Sequence, residues 1–186
     1  MAWQLRFRIA RAKDLLEVFA NVFDFIAAWQ NDHPVASYAL IDDAEDFGLD
    51  PLEDIGKMKT EYVVGMGFKS QVLHHVDPER LPNRGQLALY GLYFLSGKKH
   101  FGLPSKSSEF LMINDVNPDA TWYNVGQNYW YPYGLFSLYA LRIFRWIESR
   151  AATASFAVDR SRRYVYVERF FESVCNEHTD DRKTIF

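Results

Sequence analysis

Leu87-Ala88-Leu89-Tyr90-Gly91-Leu92-Tyr93-Phe94-Leu95 is the longest apolar run in the 186-residue chain and, its tyrosines aside, contains no polar residue. Turn formers bound it on both sides, Pro82-Asn83-Arg84-Gly85 before and Ser96-Gly97-Lys98-Lys99 after. A short, unbroken apolar run between turns fits a strand buried on both faces. It is about half the length a membrane-spanning helix needs. Reading it as a central strand makes the protein a sheet protein, and its neighbours are then read as further strands.

Trp3, Leu5, Phe7 and Ile9 alternate with Gln4, Arg6 and Arg8, the pattern of a strand with one buried face. Val35 to Ile41, Tyr62 to Val64, Gln71 to Val76 and Glu109 to Ile113 read as strands too. Ser155 to Val158 and Tyr164 to Val167, flanking Asp159-Arg160-Ser161-Arg162-Arg163, read as a hairpin. A short helix starting near Asp50-Pro51 fits the acidic stretch, and helical spacing is clear in three other places. Leu15, Phe19, Val22, Ile26 and Trp29 repeat every three or four residues until Asn31-Asp32-His33-Pro34 stops them. Leu135 to Glu148 is apolar on all but a narrow stripe, and Arg169 to His178 fits a short final helix. The expected fold is α+β, a single domain over residues 1–178 with a mainly antiparallel or mixed sheet. Two long helices occupy about 11–30 and 135–149, and a frayed tail covers 179–186. No repeat or linker divides the chain, whose length suits one core.

Net charge is −3 but unevenly spread: residues 1–60 carry six basic and eleven acidic side chains, and residues 133–186 nine basic and seven acidic. Most of the chain lacks the concentrated basic surface that duplex binding needs, which argues against nucleic acid. A single cysteine, Cys175, cannot form an internal disulfide. With no apolar signal core at the amino terminus, the expected location is the cytoplasm, without membrane attachment.

Nucleotide and metal motifs fail on spacing. Gly65-Met66-Gly67-Phe68-Lys69-Ser70 has Ser70 where a dinucleotide loop has its third glycine, and the β-like residues after it do not read as a phosphate-cradling helix. Five residues separate Gly91 from Gly97, one too many for a P-loop. His74 and His75 point to opposite faces of a strand. Cys175 and His178 supply two of the four ligands a structural zinc needs. Neither a cofactor nor a metal is expected. No nucleophile sits in a strand-turn-helix signature, so no catalytic residue is assigned and the reading leans away from an enzyme.

Three features remain as candidate sites. From Asp42 to Asp54 the chain has seven acids and no base; an EF-hand reading fails because Phe47 falls where glycine or a ligand is required. Asp42, Asp43, Glu45 and Asp46 are then a surface for a basic partner. Trp122 to Tyr133 is an aromatic loop, with Trp122, Tyr129, Trp130 and Tyr131 as rigid contacts. Arg160, Arg162 and Arg163 form an anion site in the alternative reading, or else neutralise acids within the chain. The expected function is a small soluble protein-binding module, an inhibitor or immunity-type protein that masks a partner protein with a basic surface. Small acidic inhibitors, toxin-immunity proteins among them, are of this general kind, though no motif is diagnostic of one. The alternative is an enzyme or ligand-binding protein with an aromatic-lidded pocket and arginines holding an anion. A homo-oligomer is compatible with either.

Overall fold

The computed structural model of the chain describes residues 8–53, 58, 64–97, 111–113, 125–127 and 133–181, with 111–113 and 125–127 as backbone only. The described chain is mainly helical. In order it forms α1 (Ala12–Asp32), the single turn α2 (Val35–Tyr38), two 3-10 turns (Glu45–Phe47 and Asp50–Glu53), α3 (Met66–Val76) and α4 (Gln86–Leu95). After β1 (Leu111–Ile113) and β2 (Val125–Gln127) come α5 (Tyr133–Thr153), a 3-10 turn (Arg160–Arg162) and α6 (Arg163–Glu177). β1 and β2 pair antiparallel with Met112 opposite Gly126, and no larger sheet exists among the described residues.

The expected α+β sheet is therefore corrected. Leu87 to Leu95 is not a central strand but almost all of α4, buried at Ala88, Leu89, Tyr90, Gly91, Leu92 and Phe94. A helix packed on several sides is as uniformly apolar as a two-faced strand, so composition cannot separate them. Val35 to Tyr38 and Gln71 to Val76 are helical as well. The hairpin is replaced by an irregular stretch leading into α6, which absorbs Tyr164 to Val167. There the alternation of valines and tyrosines masks a helical stripe, Tyr164, Val167, Phe171 and Cys175, which is the buried face. Of the amino-terminal strand only Arg8 and Ile9 are described, and they are helical and exposed. Of Tyr62 to Val64 only Val64 is described. Of the strand expected over Glu109 to Ile113, Leu111–Ile113 is described and forms β1; both long helices are found where periodicity put them, α1 ending two residues later and α5 starting two residues earlier and ending four later.

Local chemistry explains the helix ends. Val18, Val22, Ile26 and Trp29 form the inner stripe of α1, which stops at His33 before Pro34. Asp159 accepts from Ser161 N and Oγ at 3.0 and 2.7 Å, capping the turn that feeds α6 and holding its carboxyl below the usual range. The helices meet over a core that includes Phe136, Ala140, Leu141 and Phe144 of α5.

The tightest seam lies between α4 and α6. A Cβ on Gly91 would stand 2.5 Å from Phe171 Cδ1, so the absence of a side chain sets how closely these helices approach. Beside it, the Cys175 thiol donates to Leu87 O at 3.2 Å. Four phenols are also enclosed, those of Tyr38, Tyr90, Tyr133 and Tyr164. Tyr38 and Tyr164 share a hydrogen bond, and Tyr133 donates to Pro82 O at 2.7 Å.

Gly91→Ala should lower unfolding free energy by about 1–3 kcal/mol, the usual cost of overpacking. Urea titration with Gly91→Ala, Phe171→Leu and the double variant should show that the smaller Phe171 side chain recovers part of that loss. Burial raises the pKa of Tyr38, Tyr133 and Tyr164 above the ordinary 10.0. The unfolded chain thus releases these protons first. Their contribution is complete below pH 10 and declines above it, so alkaline unfolding should coincide with the late rise in phenolate absorbance.

Candidate functional site: an acidic shelf beside an aromatic groove

Between α2 and the second 3-10 turn the acidic stretch turns its apolar side chains inward and leaves most of its carboxylates outside. Phe47, Leu49 and Leu52 are essentially inaccessible to solvent. Trp29 Nε1 donates to Phe47 O at 2.6 Å, tying the segment to α1. Gly48, at φ 59°, closes the first 3-10 turn in the left-handed region that glycine enters without strain. On the other side Arg145 of α5 donates through Nη2 to Ala39 O at 2.8 Å and Ile41 O at 2.6 Å, and through Nη1 to Asp42 Oδ1 at 3.3 Å. Gly134 lets the segment lie against the first turn of α5; a Cβ there would be 2.9 Å from Ala44 O.

The acids of this shelf divide by task. Glu53 Oε1 accepts from Tyr133 N at 2.6 Å, placing a carboxylate at the positive end of α5. Burial raises the Glu53 pKa, which that hydrogen bond and the charges of Arg84 and Lys69 partly oppose. Lys69 itself is buried and donates to Leu52 O, bracing the shelf from below. Asp42 faces Arg145, with Arg142 at 3.8 Å. Asp43 Oδ1 accepts from Glu45 N at 3.0 Å, stiffening the turn. Asp43, Glu45 and Asp46 remain exposed. All four acids expected to meet a partner are exposed, and Asp42 alone of them is paired with arginines among the described residues.

The expected anion site does not assemble. Arg160 Nε donates to Glu148 Oε1 at 2.6 Å, Arg162 is exposed, and Arg163 turns into the core, where Nη1 donates to Glu79 O at 2.6 Å. The internal use of arginine, weighed as the other outcome, is seen at Arg145 and Arg160. Trp122, Tyr129, Trp130 and Tyr131 lie outside the described residues. The Gly65 to Ser70 segment does open a helix, and Gln71 to Val76 continue it rather than forming a strand. Its Ser70 Oγ is nonetheless spent on Gly67 O and Arg84 N. His74 and His75 share that helix, His74 Nδ1 bonding Leu81 O at 3.0 Å and His75 Nδ1 bonding Gln71 O at 2.7 Å. Cys175 faces Leu87 while the His178 ring stacks on Phe94, with centroids 4.4 Å apart.

One feature was missed from the sequence. A groove of about 460 Å³ opens beside the shelf, between α4, α5 and α6. Tyr139, Ile143, Trp146 and Phe170 line it, and Arg142 belongs to both surfaces. The signal was available: Arg142, Trp146 and Arg150 recur every four residues, which places them on one helix face. No helix among the described residues is long and apolar enough to cross a membrane. No protein-family model, curated protein or solved structure matches the chain.

Arg145→Ala should lower stability by about 1–3 kcal/mol by removing charged hydrogen bonds to two carbonyls. Hydrogen exchange should show faster exchange at residues 39–48 while the amides of α6 keep their protection.

Proposed function

We propose that the protein is a protein-binding module, of inhibitor or immunity type, that presents its acidic shelf to a basic surface on a partner protein. The observation carrying this reading is the fixed display of Asp43, Glu45 and Asp46. Their side chains are exposed while the backbone beneath them is held by Trp29, Arg145 and buried Phe47. A preformed acidic surface loses little conformational freedom on docking, and its field accelerates encounter with a cationic face. An anion-binding site for phosphate or nucleic acid at Arg160, Arg162 and Arg163 finds less support, because Arg160 is paired and Arg163 is buried.

Partner capture from the native host, followed by titration calorimetry, tests the proposal. The triple variant Asp43→Asn, Glu45→Gln, Asp46→Asn should weaken the complex about 10- to 100-fold, corresponding to roughly 1.4–2.8 kcal/mol. The wild-type complex should also weaken steeply with added salt. Unchanged affinity in the triple variant, with its helix content intact, would rule out the shelf as the docking surface.

A further inference from the structure

The groove beside the shelf has a composition of its own. Its volume of about 460 Å³ lies within the roughly 300–1,000 Å³ typical of small-molecule sites. Leu95 at the end of α4, Tyr139, Ile143 and Trp146 on α5 and Phe170 on α6 make its walls apolar. Trp146 and Leu95 are 50% and 46% exposed, so large apolar surface is left facing water. The Trp146 ring is set in place by Phe170, with centroids 5.5 Å apart.

The charge beside these walls is positive. Arg142 and Arg145 share one carboxylate, Asp42, and Arg145 is the nearer at 3.3 Å against 3.8 Å. Arg145 also has two backbone carbonyls to satisfy it, whereas the Arg142 side chain is 52% exposed and donates only a long 3.4 Å bond to Asp42 O. Among the described residues, one carboxylate paired with two guanidiniums leaves an unneutralised positive charge in the groove wall. Four residues further along α5, the Arg150 guanidinium stands 5.7 Å from the Trp146 ring centroid, adding a second cation.

We infer that this groove is a binding site for a small amphiphilic carboxylate. Its apolar chain or ring lies against Tyr139, Trp146 and Phe170, and its carboxylate pairs with Arg142. The planar, two-pronged guanidinium suits a carboxylate better than a diffuse charge would. The apolar walls supply the affinity, and Arg142 selects the sign of the head group. The site does not use Asp43, Glu45 or Asp46 of the acidic shelf; the contact between Arg142 and Asp42 links the two surfaces.

The test is calorimetric titration of the full chain with dodecanoate below its micellar concentration, with dodecyltrimethylammonium and octyl glucoside as cationic and neutral probes. Dodecanoate should bind one to one. Arg142→Ala should weaken it about tenfold while leaving octyl glucoside within twofold, and Trp146→Ala should weaken both. Both side chains are half exposed, so circular dichroism should show the variants folded. The triple shelf variant should bind dodecanoate as the wild type does, which separates failure of this site from failure of the docking proposal. Absence of one-to-one binding overturns the inference, as does equal affinity for the three head groups or indifference to Arg142→Ala. Displacement of weakly held dodecanoate by a far tighter amphipathic helical peptide would overturn it in favour of a protein occupant.

Discussion

A guanidinium sealed in the core, that of Arg163, ties the separate parts of this protein together. It is 2% exposed, at a position where an unsatisfied charge would cost several kcal/mol. Three contacts offset part of that cost, while the buried Nε has no hydrogen-bond partner among the described residues. Glu79 O accepts from Nη1, and the Tyr38 and Phe144 rings stand 5.1 and 5.3 Å from the guanidinium carbon. The next residue, Tyr164, donates its amide to Pro78 O and shares a hydrogen bond with Tyr38. Two successive residues thus join α2, α5, the α3–α4 connection and the start of α6. Lysine could not replace Arg163, since an ammonium lacks the flat face that lies between two rings.

The surfaces depend on this arrangement through Tyr38. Its ring is nearly perpendicular to Phe47, with centroids 5.5 Å apart, and Phe47 underlies the acidic shelf. α5 closes the circuit by using its two sides differently. Phe136, Ala140 and Phe144 enter the core, while Arg142, Arg145 and Trp146 face the shelf and groove. One helix therefore positions both candidate binding surfaces, and a change in its rotation would disturb them together.

Much of this was legible in the sequence where a single face is buried. α1 showed itself because Leu15, Phe19, Val22, Ile26 and Trp29 repeat at helical spacing, and Val22, Ile26 and Trp29 of these are buried, with Val18 beside them. α4 did not, because partners on several sides remove the polar stripe that reports helical periodicity. Gly91 was the residue to weigh: inside a strand a glycine leaves a packing gap, while in a helix it admits a neighbour, here Phe171. Gln71 to Val76 misled for a related reason, since His74 and Ser70 are polar yet buried, satisfied by Leu81 O, Gly67 O and Arg84 N. In the shelf, sequence found the acids but could not separate those already paired within the chain, exposed Asp42 and partly buried Glu53, from those left unpaired. That distinction depends on Arg145, 103 residues beyond Asp42, and on Tyr133, 80 residues beyond Glu53.

The seam at Gly91 and Phe171 also sets an order of events during synthesis. The two residues are eighty positions apart, so α4 leaves the ribosome long before the helix that covers it. At about 5–20 residues per second the wait is roughly 4–16 seconds. During that interval the most apolar segment of the chain has no α6 to pack against and is a target for holding chaperones or for contact with another nascent copy. Expression yield should therefore respond to translation speed between the two helices even when the finished protein is stable.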